Sequence, residues 1–199
     1  MRNRTRAAAA IILLAISMIR LPVWADELME PERVDFKKPF AYSLGLMSIG
    51  LPMLIGAGAF DEGPSINNFK SAFKSAPEWE DDSVVFNYVL HPLWGSETYL
   101  RAREANFGIP GSIAFSMGMS VTWEYLFESW VTHPSAQDLI FTTGVGWIIG
   151  ELRYKMKQQT SEGWNWVLDP IHTTLEHLKV IQRTHDGEKV TMLAFSKSF

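Results

Sequence analysis

Between His91 and Glu151 the chain sets ionisable side chains into stretches that otherwise read as buried helix: His91, Arg101, Arg103, Glu124, Glu128, Asp138 and Glu151. Burying an unpaired carboxylate or guanidinium is costly, so such groups must neutralise one another, shift their pKa, or face water. A fold for this chain therefore has to bring opposite charges together inside, or leave a wet opening beside them. Most of what the sequence says about function lies in this stretch.

At 199 residues the chain is long enough for one domain with a real core. A net charge of -4, with no cluster of Lys and Arg, excludes a nucleic-acid surface. The absence of cysteine excludes disulfides, thiolate metal sites, a cysteine nucleophile and a lipid-modified cysteine anchor.

Residues 1–25 read as a signal peptide. Arg2, Arg4 and Arg6 are the basic region, Ala7 to Ile19 the apolar run, and Val23-Trp24-Ala25 the small-x-small cleavage site. The chain is thus expected to be exported, to the periplasm or another part of the cell envelope. Residues 26–86 divide into a charged linker, an apolar helix and a connecting loop. Phe40 to Phe60 carries no charge and is long enough to cross a bilayer. Lys37 and Lys38 stand at the wrong end of it for the positive-inside rule in an exported chain. A membrane-inserted segment and a helix packed against its neighbours both remain open.

Residues 87–179 read as a helical core domain. His91 precedes Pro92, which biases it out of helical geometry, and Gly95 reads as a stop. A helix is then expected from a Ser96 N-cap to Asn106, halted by Gly108, with Glu97 and Arg101 paired i, i+4. Ser112 to Thr132 forms a central apolar helix broken by Pro134. Ser135-Ala136-Gln137-Asp138 is a capping box opening a helix that ends near Lys157. Asp169-Pro170 reads as an N-cap with Pro at the first helical position. Residues 180–199 read as a β-hairpin turning at Asp186-Gly187. The fold class expected is mainly α, a bundle of about four to five helices with a short C-terminal hairpin.

Glu124 and Glu128 are four apart, so their carboxylates share a helix face. Two acids in an apolar setting drive one pKa upward, which prepares a general acid or base; they also suit a hard cation, or hydrogen bonds from Arg101 and Arg103. His91 suits a proton shuttle, a metal ligand, or a hydrogen-bonded core position. Asp138 is explained as the acid of the capping box, and Ser135 as its cap rather than a nucleophile. Gly144, Gly146 and Gly150 line a smooth face where another helix can approach. No zincin or di-iron spacing occurs, and the sequence names neither a metal nor a cofactor.

The order Asn87…His91-Pro92…Gly95-Ser96…Tyr99…Ala102-Arg103…Gly108, then Trp123-Glu124…Glu128, then Pro134-Ser135…Asp138-Leu139-Ile140…Thr142-Thr143…Gly146…Gly150-Glu151, ending with Asp169-Pro170, is a combined pattern. It resembles the bacterial family called domain of unknown function 3943, over about residues 87–177. The resemblance implies an exported envelope protein and carries no activity.

Two functions follow as expectations. One is a membrane-associated structural or accessory protein, pinned by a buried network in which Arg101 or Arg103 meets Glu124, Glu128 and His91, with Asp138 and Glu151 alongside. The other is a hydrolase acting on a lipid or other envelope substrate, with Glu124 or Glu128 as base and His91 as acid or ligand. Whether the chain is an enzyme is left open by sequence. A cluster sealed from solvent favours the first reading and one open to a cleft favours the second. Membrane or envelope lipid is the expected partner, and nucleic acid is excluded.

Overall fold

In the computed structural model, which describes residues 33–60, 63–79, 84–185 and 188–195, the first helix is α1 (Lys37–Gly56). The expected signal peptide, the Asp186-Gly187 turn and the last four residues lie outside the described residues. A short helix, α2 (Ile66–Ser71), follows, capped by the Ser65 side chain, which accepts from the Asn67 amide.

Residues 84–104 are helical without a break, contrary to the expected stop at His91-Pro92 and Gly95. They comprise a π-helical turn (Phe86–Leu90) running straight into α3 (His91–Glu104). His91 has helical angles, φ -62 and ψ -47. Proline normally clashes with the carbonyl four residues back and removes a helical hydrogen bond. The wider turn ahead of Pro92 relieves both demands, so the helix continues. Ser96 is accordingly no cap: its hydroxyl donates to the Leu93 carbonyl and accepts from Arg153. The chain reverses at Asn106, whose φ of 66 supplies the left-handed residue expected of Gly108. Gly108 instead precedes the first turn of the next helix, where Pro110 takes an early position.

That helix, α4 (Ile109–Thr122), extends through a π-helical turn (Trp123–Phe127) and a 3-10 turn (Glu128–Trp130). Ser135 then caps α5 (Ala136–Gly144) by accepting from the Asp138 amide, as the capping box implies. After a one-residue interruption at Val145 comes α6 (Gly146–Gln159). Two short helices, α7 (Asn165–Leu168) and α8 (Pro170–His177), lead into β1 (Leu178–His185), which pairs antiparallel with β2 (Glu188–Phe195), His185 opposite Glu188. The protein is mainly helical, with a small C-terminal antiparallel sheet.

The apolar core is one-sided. Met47 of α1, Ala102 of α3, and Phe115, Met119 and Trp123 of α4 and its extension form it. On the other side α3 meets α5 and α6 through small residues. A β-carbon on Gly146 would lie 2.8 Å from Gly95 Cα, and one on Gly150 would lie 2.6 Å from the Tyr99 ring. Ser112, Ser116 and Ser120 form a buried stripe along α4. Ser116 donates to the Gly95 carbonyl and accepts from Thr98, so close backbone approach and polar satisfaction come together. The bundle interior is rich in Ser, Thr and ion pairs. Its outside carries Leu93, Val121, Leu126, Ile140, Ile148 and Leu152, each exposed.

Candidate functional site

The ionic side chains segregate into two groups at different heights of the bundle. The direction of each helix dictates this: His91 opens α3 and the arginines close it, about 15 Å away at roughly 1.5 Å per residue.

At the arginine end the partners are not those expected from sequence. Arg101 pairs with Glu97 at 3.3 Å, with Glu104 at 2.8 Å and with Asp169. Arg153 of α6 reaches Glu97 at 2.7 Å, and Lys157 one turn on reaches Glu104 and Asp169. Tyr42 of α1 donates to Glu97 at 2.8 Å, tying the first helix to the network. Asp169 is wholly buried and spends its carboxylate on these cations rather than on capping α8. Burial alone would push its pKa up, but Arg101 and Lys157 beside it hold it below the ordinary value. Arg103 pairs separately with Glu151 at 2.9 Å, and Tyr99 donates to the same carboxylate. The expected meeting of Arg101 or Arg103 with Glu124, Glu128 and His91 therefore does not occur. The arginines have acids within one turn of their own helix and on α6, and these are nearer. Charges that cancel in this way position elements, although Tyr42, Arg101 and Glu104 also line a smaller pocket of about 190 Å³ with His172.

The other end differs. His91, Glu124 and Asp138 come from three elements: the start of α3, the π-helical turn after α4, and the first turn of α5. One ligand-capable atom from each lies within 4.8 Å of the other two. His91 Nε2 stands 3.4 Å from Asp138 Oδ2, and its Nδ1 is 3.2 Å from the Thr142 hydroxyl. Glu124, only 1% exposed, accepts the Ser135 amide at 2.8 Å. That contact fixes the acid and caps α5 from a second side. Burial pushes the His91 imidazole down to about 4, so the ring is neutral at pH 7. Asp138 is thus more than a capping-box acid: its amide serves the cap and its carboxylate faces the imidazole.

His91 and Glu128 both line a pocket of about 430 Å³ between α1 and this end of the bundle. Its other walls are apolar, with Met47, Met53 and Leu54 from α1 facing Leu90, Trp94 and Trp123. Glu128 sits one turn beyond Glu124, so the expected pairing of the two acids separates into one at the wall and one behind it. A neutral imidazole and a carboxylate at the wall of an apolar pocket can hold a polar headgroup, exchange a proton, or activate water.

Several residues that matter here were given no site role by the sequence: Glu97 as a shared acceptor, Asp169, Arg153, Lys157 and Thr142. Spacing held part of the signal. Arg153 and Lys157 are four apart, matching the Glu97, Arg101, Glu104 face of α3, although nothing local links Asp169 to them.

The pattern of one protein family matches residues 76–180. The chain belongs to the family described as Domain of unknown function (DUF3943). No curated protein and no solved structure matches it. The DUF3943 region takes in the π-helical turn, α3 to α8 and the start of β1, and so every residue of both clusters except Tyr42. It leaves out α1, which supplies one whole wall of the pocket.

Proposed function

We propose that this chain is an exported, membrane-associated envelope protein that acts on a lipid-like molecule held in the pocket between α1 and the His91 end of the bundle. The supporting observation is the pocket's character: apolar walls with an imidazole and a carboxylate set into them. Such a site suits an acyl chain along α1 and a polar headgroup or ester at His91 and Glu128. Glu128 is the general base for water and hands that proton on to the group that leaves, while His91 holds the headgroup. Hydrolysis of an envelope lipid is the reaction these roles describe.

The inverted polarity of the bundle supports membrane association. Serines, threonines and glycines pack inside while large aliphatic side chains face out, as in helices that meet in lipid. α1 is also long and apolar enough to cross a membrane.

The test incubates the purified full chain with an extract of bacterial envelope lipids and reads released fatty acid or headgroup by mass spectrometry. Product that disappears with Glu128→Gln, while folding and abundance stay normal, supports the reading. Absence of product from the wild-type chain overturns hydrolysis. The purely structural alternative draws on the mutually paired charges of the Arg101 network. It gains if Glu128→Gln acts only by preventing accumulation of the protein.

A further inference from the structure

We propose that His91, Glu124 and Asp138 form a binding site for a first-row divalent cation, zinc or manganese, beside the apolar pocket. This deepens the reading above and rests on it, because a cation there would face the same headgroup.

Three observations carry it. The first is convergence: three side chains from three elements place one nitrogen and two carboxylate oxygens within 4.8 Å of one another, in a largely buried setting. The His91 Nε2 to Asp138 Oδ2 separation of 3.4 Å is also the edge of a tetrahedral site whose metal–ligand bonds are about 2.1 Å. Glu124 is held beside them by the Ser135 amide.

The second is the support behind the imidazole. With Thr142 Oγ1 3.2 Å from Nδ1, the ring can donate from Nδ1 and turn the Nε2 lone pair toward the two acids. Metal-ligating histidines are characteristically held this way by a second partner.

The third lies outside the triad. Asn87 is 1% exposed, and among the described residues neither its amide oxygen nor its amide nitrogen has a hydrogen-bond partner. It precedes His91 by four residues, inside the wider π-helical turn that runs straight into α3, so the two are about one turn apart. A buried amide left without partners is costly and points to a missing ligand. Its carbonyl oxygen is a fourth candidate donor. One imidazole with oxygen donors suits zinc or manganese better than calcium or magnesium, which take oxygen alone, or copper(I), which takes sulfur. The pocket beside His91 supplies an entry path.

The experiment strips the purified full chain with EDTA and titrates it with Zn²⁺ and with Mn²⁺ by calorimetry. The expected result is one equivalent of at least one of these cations per chain, with X-ray absorption showing only nitrogen and oxygen neighbours. Asp138→Asn and His91→Gln lose stoichiometric binding. Thr142→Val weakens it about 10- to 100-fold. Glu128→Gln, outside the ligand set, binds like the wild type. A stripped wild-type chain that keeps its helical circular dichroism and takes up neither cation overturns the site, whatever the variants do. Binding unchanged in Asp138→Asn and His91→Gln overturns it as well. Cation binding without lipid turnover removes the hydrolase reading and leaves the site. Turnover by a stripped chain that also takes up neither cation removes the site and leaves the hydrolase reading.

Discussion

Gly95 and Thr142 approach so closely that a β-carbon on Gly95 would stand 1.7 Å from the Thr142 carbonyl oxygen. The contact lies on backbone, so nothing flexible can yield. It also sets the height at which Thr142 meets His91, one turn earlier on α3. Gly95→Ala is therefore expected to cost about 3 kcal/mol or more, or to prevent accumulation. Gly144→Ala is the control, since a β-carbon there meets nothing among the described residues within 4 Å. It is expected to be neutral or to raise stability by about 0.5–1 kcal/mol through helix propensity. Thermal unfolding of the two variants in parallel checks both.

The arginine-end network is expected to behave as one unit. Asp169→Ala removes the carboxylate shared by Arg101 and Lys157 and leaves two cations crowded in a buried site. Breaking such a network from one side costs roughly 3–5 kcal/mol. Denaturant midpoints of Asp169→Ala, Lys157→Met and the double variant should show strong non-additivity, the double change costing much less than the sum. Additive losses would mean that the contacts are independent.

Acid should attack the same place. Asp169 is held below its ordinary value of 3.8 in the folded chain, so the unfolded chain binds its proton first as pH falls. The stability it contributes is fully present above about pH 4 and is lost as pH drops through the folded value. The wild type is expected to lose unfolding free energy below about pH 4 more steeply than Asp169→Asn, measured by urea titration across that range.

Ser135 caps α5 and stands beside the bound Glu124 carboxylate. Ser135→Ala leaves the Asp138 amide without its hydroxyl acceptor and is expected to cost about 1 kcal/mol. It should also loosen Asp138, so amide exchange over the first turn of α5 should rise while exchange in α3 does not.

The outward-facing aliphatics separate lipid from water as the surrounding medium. Ile140 and Ile148 are 57% and 49% exposed. In water, lysine at such positions changes stability by no more than about 0.5 kcal/mol. Against acyl chains each lysine costs about 2–3 kcal/mol. Ile140→Lys with Ile148→Lys is expected to reduce retention in the membrane fraction after a carbonate wash. Recovery of the wild type in the soluble fraction would contradict membrane association.

Features carried by neighbouring residues were legible in the sequence. The Ser135 cap, the Glu97–Arg101 pair, the glycine face at Gly146 and Gly150, and the hairpin all depend on spacing over a few positions. The family pattern was legible too, from the order of His91-Pro92, Glu124, Ser135 and Asp138. What failed was local punctuation overruled by tertiary structure: Pro92 sits inside a helix because a π-helical turn precedes it, and Gly95 serves close packing rather than termination. Arginine partners failed for a related reason. Glu124 and Glu151 are equally acidic in sequence, and only the directions of α3, α4 and α6 decide which one Arg103 can reach. Asp169 was hidden because its local reading as a helix cap was sufficient by itself.

The most direct measurement is native mass spectrometry of the detergent-purified chain beside Gly50→Leu. Gly50 lines the pocket, and a β-carbon there meets nothing among the described residues within 4 Å, so leucine can enter the cavity and favours the helix. The expected result is a co-purifying lipid on the wild type that is lost from Gly50→Leu, with unchanged circular dichroism. Equal lipid on both chains, or none on either, would contradict a lipid-holding pocket at His91.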